Sequence, residues 1–295
     1  MDRVVPSLKI LLPVRMACHK SAIYLARRAV PVHEKLMGAT ISRGRAKEDA
    51  MVEFPQPLEG PVDSGPRYAI YFAPAPETPL HVLGSAWLGR DSIRDEALEQ
   101  PPIQGLAPER LSTLTVNPRR YGFHATLKPP FHLKPGTDID ALLEATRGLA
   151  RAHAPIDTEL APRHLSGFLA LMQARSRTET RALAAAAVSE LDRFRALPSE
   201  AELERRREAG LSAAQETLLQ RWGYPYVMNE FRFHMTLSHR MPDDAESVML
   251  REAAMAHFAP VIASHQAIDR LAVFREEAPG TPFTQVEQFA LGTGA

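Results

Sequence analysis

Two histidine–threonine pairs are the residues of this sequence whose types and spacing could do chemistry. They lie in strings that match at four of five positions, FHATL at 123–127 and FHMTL at 233–237. The histidines, His124 and His234, are 110 positions apart. A single His-x-Thr is expected by chance in a chain with 11 histidines, and a lone strand histidine is more often structural than catalytic. The repeat, with identical flanking Phe and Leu, favours a functional pair.

Strand geometry gives this repeat a chemical meaning. Side chains alternate between the faces of a strand, so His124 shares a face with Thr126, and His234 shares one with Thr236. One imidazole can act as a base and the other as an acid near neutral pH, and the hydroxyls can bind an oxyanion. The layout fits a phosphodiester: one histidine activates water and the other protonates the leaving oxygen. The sequence does not assign which histidine is the base.

Cations near the two motifs are candidate phosphate ligands. If the alternation continues, Lys128 lies on the face of the first histidine, and Arg232, Ser238 and Arg240 lie on the face of the second. We predict that Lys128 and Arg240 bind the substrate phosphate together with the two threonines. Tyr121 is interpreted as a packing residue. The remaining histidines have no partner pattern and are interpreted as structural or exposed.

The longer strings 119–131 (RRYGFHATLKPPF) and 233–237 resemble the 2H phosphoesterase superfamily, and within it a bacterial branch encoded with phosphonate-degradation genes. The resemblance extends over residues 67–291. It implies a two-lobed, pseudo-twofold symmetric α+β fold with the motif strands facing each other across a central cleft. It also implies metal-independent phosphodiester chemistry on cyclic phosphates, without a cofactor. His124 and His234 match the catalytic positions, and Thr126 and Thr236 match the phosphate-binding positions.

The phosphonate branch implies a particular substrate, a small ribose cyclic phosphate whose opening returns an ordinary ribose phosphate to metabolism. Other readings stay open. One is an RNA-end enzyme for 2′,3′-cyclic phosphates or 2′–5′ linkages, and another is a protein that binds a phosphate ligand without turning it over. A metal-dependent hydrolase would use acidic residues such as Asp138 and Asp140, but no HxH, HD or HExxH spacing is present.

The hydrophobic pattern predicts an α+β fold, with helices packed outside mainly antiparallel sheets. The last two predicted strands flank a Pro-Gly turn and should form a hairpin. The charged run 202–208 is interpreted as a solvated helix face or a loop. The predicted strands are 68–72, 121–127, 158–160, 168–172, 231–239, 268–275 and 284–291, and the predicted helices are 81–88, 138–152, 179–195, 211–222 and 243–258.

The composition indicates the cellular compartment and the kinds of partner to expect. The single cysteine, Cys18, excludes a disulfide scaffold and a multi-cysteine metal site, and it favours a reducing, cytoplasmic compartment. No apolar run approaches the ~18 residues of a membrane span. Residues 1–50 carry ten basic and four acidic residues, and the other 245 carry 25 and 31. The acidic bulk argues against long nucleic acids and favours a small phosphorylated substrate, with an RNA terminus still allowed.

The N-terminal stretch 1–66 differs from the rest of the chain. It begins basic and ends rich in proline and glycine, a composition that rarely packs into regular structure. We predict a disordered extension or a start-site artefact in which Met51 is the true first residue. A targeting presequence and a flexible arm for an acidic partner are the alternatives. Residues 67–295 are predicted to form a single two-lobed domain.

Overall fold

The computed structural model describes residues 65–208, 210–242 and 244–292. The predicted N-terminal extension is 1–66, and its residues 1–64 lie outside the described residues. The strands are β1 (Arg67–Phe72), β2 (Arg90–Asp91), β3 (Glu96–Ala97), β4 (Ala125–His132), β5 (Ile156–Thr158), β6 (Leu160–Leu165), β7 (Phe168–Gln173), β8 (His234–Thr236), β9 (Gln266–Ile268), β10 (Arg270–Glu276) and β11 (Phe283–Ala290). The helices are α1 (Pro79–Leu88), α2 (Pro108–Leu114), α3 (Val116–Tyr121), α4 (Ile139–Arg151), α5 (Thr178–Glu190), α6 (Glu200–Arg207), α7 (Ala213–Trp222), α8 (Ala245–His257) and α9 (Ala259–Ile262).

A seven-stranded sheet organises the described residues, in the order β11-β10-β1-β4-β8-β7-β6. All its neighbouring strands are antiparallel. The predicted α+β class is therefore confirmed, as is the closing hairpin, which is β10–β11. The two motif strands β4 and β8 are direct neighbours in the middle of this sheet. They were expected to face each other across a cleft, and their side-by-side pairing instead gives both motifs one shared sheet face.

The two faces of the sheet are packed differently. The main core contains the Phe and Leu residues of both motifs and buried apolar residues from helices α1, α4, α5 and α8. On the opposite face lie two smaller apolar clusters, one on each side of the motif strands. The first consists of Ala69, Tyr71, Ala73, Tyr121, Ala272, Phe274 and Phe283, and the second of Leu165, Phe168 and Ala170 with Met172 packed against them.

Helix α1 supports both motif strands from the core side. Thr78 caps its first turn by accepting a hydrogen bond from the amide of His81. The ring of Phe123 packs so close to Gly84 that a Cβ at position 84 would lie 2.1 Å from it. Trp87 donates a hydrogen bond from its indole Nε1 to the Leu237 carbonyl at 2.9 Å. One helix therefore contacts the residue before the first histidine and the end of the second motif.

The observed β4 differs from the strand predicted over 121–127. It starts at Ala125 and continues through Pro129 and Pro130 to His132. Proline cannot donate a ladder hydrogen bond, but here the two prolines lie at a register shift opposite β1. They also lie beyond the reach of β8, which pairs with β4 only at Ala125. The irregular pairing makes the two prolines compatible with a strand.

The chain between α5 and β8 forms a charged helical segment that borders the second half of β4. The run predicted as a solvated helix face or a loop is helix α6, capped by Ser199 and supported by an ion pair between Glu202 and Arg206. A capping box of Ser212 and Gln215 begins α7. Among the described residues, no helix is long and apolar enough to cross a membrane.

Candidate active site

Strand pairing brings the four motif residues together. Ala125 of β4 pairs with Met235 of β8 in antiparallel register, so His124 lies opposite Thr236, and Thr126 lies opposite His234. Paired residues point to the same face, and opposed Cβ atoms in such a pair are ~5 Å apart, with diagonal neighbours at ~7–8 Å. The two imidazoles therefore occupy one diagonal of a four-residue cluster, and the two hydroxyls occupy the other.

Both histidines are oriented by the same local hydrogen bond. Nδ1 of His124 lies 2.9 Å from the Gly122 carbonyl, and Nδ1 of His234 lies 2.7 Å from the Arg232 carbonyl. A carbonyl oxygen can only accept, so each Nδ1 carries the proton and donates it. The neutral rings therefore carry their lone pair on Nε2. In the first motif, Nε2 is 3.1 Å from the Thr126 hydroxyl.

Gly122 adopts a backbone conformation that places its carbonyl within hydrogen-bonding distance of Nδ1 of His124. Its φ of +78° lies in the region that L side chains rarely adopt. A Cβ at this position would also lie 2.3 Å from Oγ of Ser92. Position 122 therefore requires glycine for backbone conformation and for space.

The first histidine lies in a buried aromatic environment. The His124 side chain stacks on the ring of Tyr71, with centroids 3.8 Å apart and an interplanar angle of 24°. Burial lowers the pKa of His124 to about 4, because the imidazolium loses its hydration; the Gly122 bond opposes this shift, and a positive charge on His234 adds to it. Burial also raises the pKa of the Tyr71 phenol well above its usual value.

The second histidine, His234, is more exposed to solvent than His124. His234 is half-buried, and its ring lies 5.6 Å from that of Phe168 in a tilted arrangement. Desolvation lowers the pKa of His234, and the hydrogen bond to the Arg232 carbonyl acts in the opposite direction. The two rings therefore share a tautomer but differ in exposure.

The structure does not bring Lys128 to this cluster. Tyr71 pairs with Thr126, yet Ile70 pairs with Lys128, so β4 contains one extra residue at this bulge. The bulge turns Lys128 to the core face that also holds Ile70. There its ammonium donates to the Val188 carbonyl at 3.1 Å and to Asp192 at 3.2 Å. Its position on the face of the first histidine was predicted wrongly, because an even alternation does not survive an inserted residue.

Arg240 lies beyond the end of the second motif strand. β8 ends at Thr236, and the amides of both Leu237 and Ser238 donate to the carbonyl of Leu169. The alternation used to place Arg240 therefore does not extend to it. Its Nε donates to the Ser166 carbonyl at 2.9 Å, in the turn between β6 and β7. The phosphate-binding role predicted for Arg240 stays a prediction.

A pocket of about 40 Å³ opens beside the cluster. Its lining combines Thr126 and His234 with residues of the loop that precedes β8, namely Tyr224, Tyr226, Val227, Glu230, Phe231 and Arg232, and with Leu127 and Pro129. Arg232 lies two residues before the start of β8, outside the strand alternation used to predict its face, and it reaches the site as a residue of this loop. The two tyrosines and Tyr71 were missed, because their contacts with the motifs are set by tertiary packing rather than by a local pattern.

Within 65–208, 210–242 and 244–292, no group of three or more His, Cys, Asp or Glu residues has an arrangement that could hold a metal ion. The acidic residues Asp138 and Asp140, considered for a metal site, lie at the start of α4. Asp138 is its N-cap and accepts a hydrogen bond from the Ala141 amide at 2.8 Å. Its role is helix capping.

Comparison with known proteins identifies a family. Residues 126–284, more than half of the chain, match the family described as "Protein of unknown function (DUF1045)". This chain belongs to the DUF1045 family. The match includes the second histidine and both threonines.

Two curated relatives carry the name ribose 1,5-bisphosphate phosphokinase PhnN. The one from Janthinobacterium sp. (strain Marseille) is 44% identical over 76% of this chain and 50% of its own length. The one from Laribacter hongkongensis (strain HLHK9) is 38% identical over 74% of this chain and 50% of its own length. The chain therefore spans about half the length of these relatives. Their names fit the phosphonate-associated branch that the sequence resembles.

Two solved structures show weaker similarity. TT0787 of Thermus thermophilus is 16% identical, with a TM-score of 0.37, over 77% of this chain and 98% of its own. E. coli LigT, in a complex with 3′-AMP, is 12% identical, with a TM-score of 0.35, over 77% of this chain and 98% of its own. At these values the similarities carry no argument for this chain, whose architecture is established by its own strand order.

Proposed function

We propose that this chain is a phosphodiesterase that opens a small cyclic phosphate by acid–base catalysis between His124 and His234. The observation that carries the proposal is the four-residue cluster, in which both imidazoles share a face with two hydroxyls. In both rings the Nδ1–H bond to a carbonyl leaves Nε2 as the basic nitrogen. Two imidazoles and two hydroxyls around one small volume match the needs of a phosphodiester better than those of a ligand that is only bound.

The proposed reaction divides proton transfer between the two rings. His124 is the candidate base, because a pKa of about 4 keeps it neutral at pH 7. It removes a proton from water, whose oxygen forms a bond to phosphorus. The bond from phosphorus to one ring oxygen of the cyclic ester breaks, and the protonated form of His234 gives its proton to that oxygen. Desolvation lowers the pKa of His234 as well, so the reaction as proposed uses a form of this ring that acidic pH favours. The products are a phosphate monoester and a hydroxyl. The Thr236 hydroxyl donates to one non-bridging oxygen, and the Thr126 hydroxyl, which donates to Nε2 of His124 in this structure, turns its proton to the other when the attacking water takes its place at Nε2.

The names of the relatives suggest the substrate. They are named as kinases of ribose 1,5-bisphosphate, and this chain spans half their length. The sequence contains no G-x-x-x-x-G-K-[ST] phosphate-binding loop, so we assign the kinase activity to the other half of those proteins. Hydrolysis of the 1,2-cyclic phosphate of ribose 5-phosphate at O2 leaves the phosphate on O1, which gives ribose 1,5-bisphosphate. The proposed substrate is therefore a 5-phosphorylated ribose 1,2-cyclic phosphate.

Single-turnover hydrolysis of this cyclic phosphate, followed by phosphorus NMR, tests the proposal. His124→Ala and His234→Ala should each lower the rate by about 10²–10⁴-fold, the usual contribution of a general acid or base. Thr126→Ala and Thr236→Ala should cost less, since each removes one hydrogen bond and leaves proton transfer intact. His164→Ala is the matched control, because His164 is an exposed strand histidine on β6. Wild-type activity should persist in saturating EDTA.

Two results would count against the proposal. A folded His124→Ala or His234→Ala protein with a near-normal rate would show that the repeat is structural. Loss of wild-type activity in EDTA, restored by a divalent metal, would replace two-histidine catalysis by a metal-dependent reaction.

A further inference from the structure

The pocket beside His234 contains a cation that the reaction proposed above does not use. Arg232 lines this pocket together with Thr126 and His234. Its backbone carbonyl orients His234, but its exposed side chain takes no part in that bond. Among the residues that the structure describes, no ion pair or hydrogen bond engages the Arg232 guanidinium. A free guanidinium at the mouth of a pocket is suited to bind an anion from solution.

Four other cations around the motif strands already have partners. Arg67 and Arg120 both pair with the buried carboxylate of Glu276. Arg206 pairs with Glu202 and lies over the ring of Tyr224. Lys128, on the core face, is bound to Asp192. Arg240 lies past the end of β8, with its Nε donating to the Ser166 carbonyl. Arg232 is therefore better placed than these five residues to receive a second phosphate of the ligand.

The backbone of Arg232 lies to one side of the four-residue cluster. The centre of the four-residue cluster lies level with Met235, three residues further along the chain. At ~3.3 Å per residue, the backbone of Arg232 lies about 10 Å from that centre if the chain is extended. The exposed Arg232 side chain can extend away from the cluster, toward a second group of a small molecule whose cyclic phosphate lies between the histidines.

We infer that Arg232 binds the 5-phosphate of the substrate and makes the site selective for a sugar phosphate that carries a second anionic group. The inference rests on the proposed function and adds a specificity-determining residue to it. Tyr224 and Tyr226 line the same pocket, with their rings 5.7 Å apart in an edge-to-face arrangement.

One carboxylate lies in the same pocket and should weaken the binding of a phosphate there. Its removal provides a control variant with the opposite expected effect. Glu230 lines the same pocket, and its Oε2 accepts a hydrogen bond from Gln215 at 3.0 Å. Its negative charge repels a phosphate. Glu230→Gln should therefore strengthen binding of the second phosphate, whereas Arg232→Ala weakens it. If the substitutions acted only by disturbing the loop, both variants would change the binding of the second phosphate in the same direction.

The decisive quantity is the preference for a second phosphate. We would measure kcat/KM for ribose 1,2-cyclic phosphate with and without a 5-phosphate, using the wild type, Arg232→Ala, Arg232→Lys and Glu230→Gln. Arg151→Ala is the matched control, since Arg151 is exposed in the last turn of α4. The ratio of the two kcat/KM values should fall about 10–100-fold in Arg232→Ala, the range expected for charge-assisted hydrogen bonds. Arg232→Lys should restore part of it.

A binding measurement separates this inference from the proposed function. Calorimetry with ribose 1,5-bisphosphate and ribose 1-phosphate needs no turnover. If the wild type opens neither cyclic phosphate, the proposed function fails, and the bisphosphate preference and its loss in Arg232→Ala still decide the role of Arg232. The inference is overturned if Arg232→Ala leaves the ratio of the two kcat/KM values unchanged. This would happen if the variant lowered kcat/KM equally for both substrates, or changed it for neither. It is also overturned if the wild type binds both ligands equally or not at all.

Discussion

Acid should destabilise this protein partly through His124, and the structure gives the size of the effect. The unfolded histidine binds a proton below pH 6.5, but burial beside Tyr71 keeps the folded one neutral down to a pKa of about 4. The unfolded state therefore binds more protons between these values, so stability is present above pH 6.5 and is lost as the pH falls toward 4. A difference of about 2.5 pH units at 1.36 kcal/mol each corresponds to about 3 kcal/mol.

The assay is urea unfolding of the wild type and His124→Gln in steps from pH 7.5 to 4.5. Carboxylates also titrate in this range, so the informative quantity is the difference in unfolding free energy between the two proteins. Between pH 7.5 and 4.5 that difference should shift by about 2.5 kcal/mol against the wild type, because the variant has no buried imidazole to protonate. His164→Gln, which replaces an exposed strand histidine, is the matched control.

A constant difference for His124→Gln across the same range would refute the reasoning. It would mean that the folded protein protonates His124 as easily as the unfolded chain does. The argument that this ring is the neutral base at pH 7 would then lose its physical basis, even if the variant were inactive.

Two further substitutions test the geometry around the cluster. Gly122→Ala should destabilise the protein by more than the ~1–3 kcal/mol typical of a strained backbone, and should lower kcat, because the new Cβ meets Ser92 and displaces the carbonyl that holds the first histidine. Gly136→Ala is the control in urea unfolding, with a similar φ of +82° and no heavy atom within 4 Å of the added Cβ; equal losses would contradict the steric argument. Lys128→Met should lower the free energy of unfolding by ~1–3 kcal/mol through lost contacts with Val188 and Asp192 while kcat/KM stays within a few-fold. A loss of 10²-fold or more in kcat/KM would restore Lys128 as a phosphate ligand.

The chemistry of the cluster could be predicted from the sequence because it depends on short-range alternation. His124 and Thr126 share a face in any regular strand, and so do His234 and Thr236. The α+β class followed from the alternation of strand and helix patterns, and the closing hairpin followed from its Pro-Gly turn. Each of these features is set by residues that lie close together in the chain.

The features that were missed depend on long-range pairing. The bulge that turns Lys128 to the core exists because β1 contributes one residue where β4 contributes two. The end of β8 at Thr236 is set by its pairing with Leu169 and its neighbours rather than by its own composition. The stacking of Tyr71 on His124 joins residues 53 positions apart. No local periodicity carries this information.

The antiparallel pairing explains why the two motifs are copies of each other. In a parallel pair, two identical His-x-Thr segments in register would place histidine beside histidine. In the antiparallel pair centred on Ala125 and Met235, each histidine instead lies opposite the threonine of the other strand, which creates a local twofold arrangement. A local twofold arrangement of this kind needs the same His-x-Thr sequence on both strands.

Acid–base catalysis needs an asymmetry that this local symmetry does not supply. Both rings have the same Nδ1–H bond and the same tautomer, so the difference must come from their surroundings. His124 stacks on Tyr71 in a buried environment, which disfavours its charged form. His234 is half-buried and borders the pocket that holds Arg232. The two ends of one symmetric cluster are therefore distinguished by what packs on each side of it, and we expect the leaving oxygen at the open end and the attacking water at the buried one.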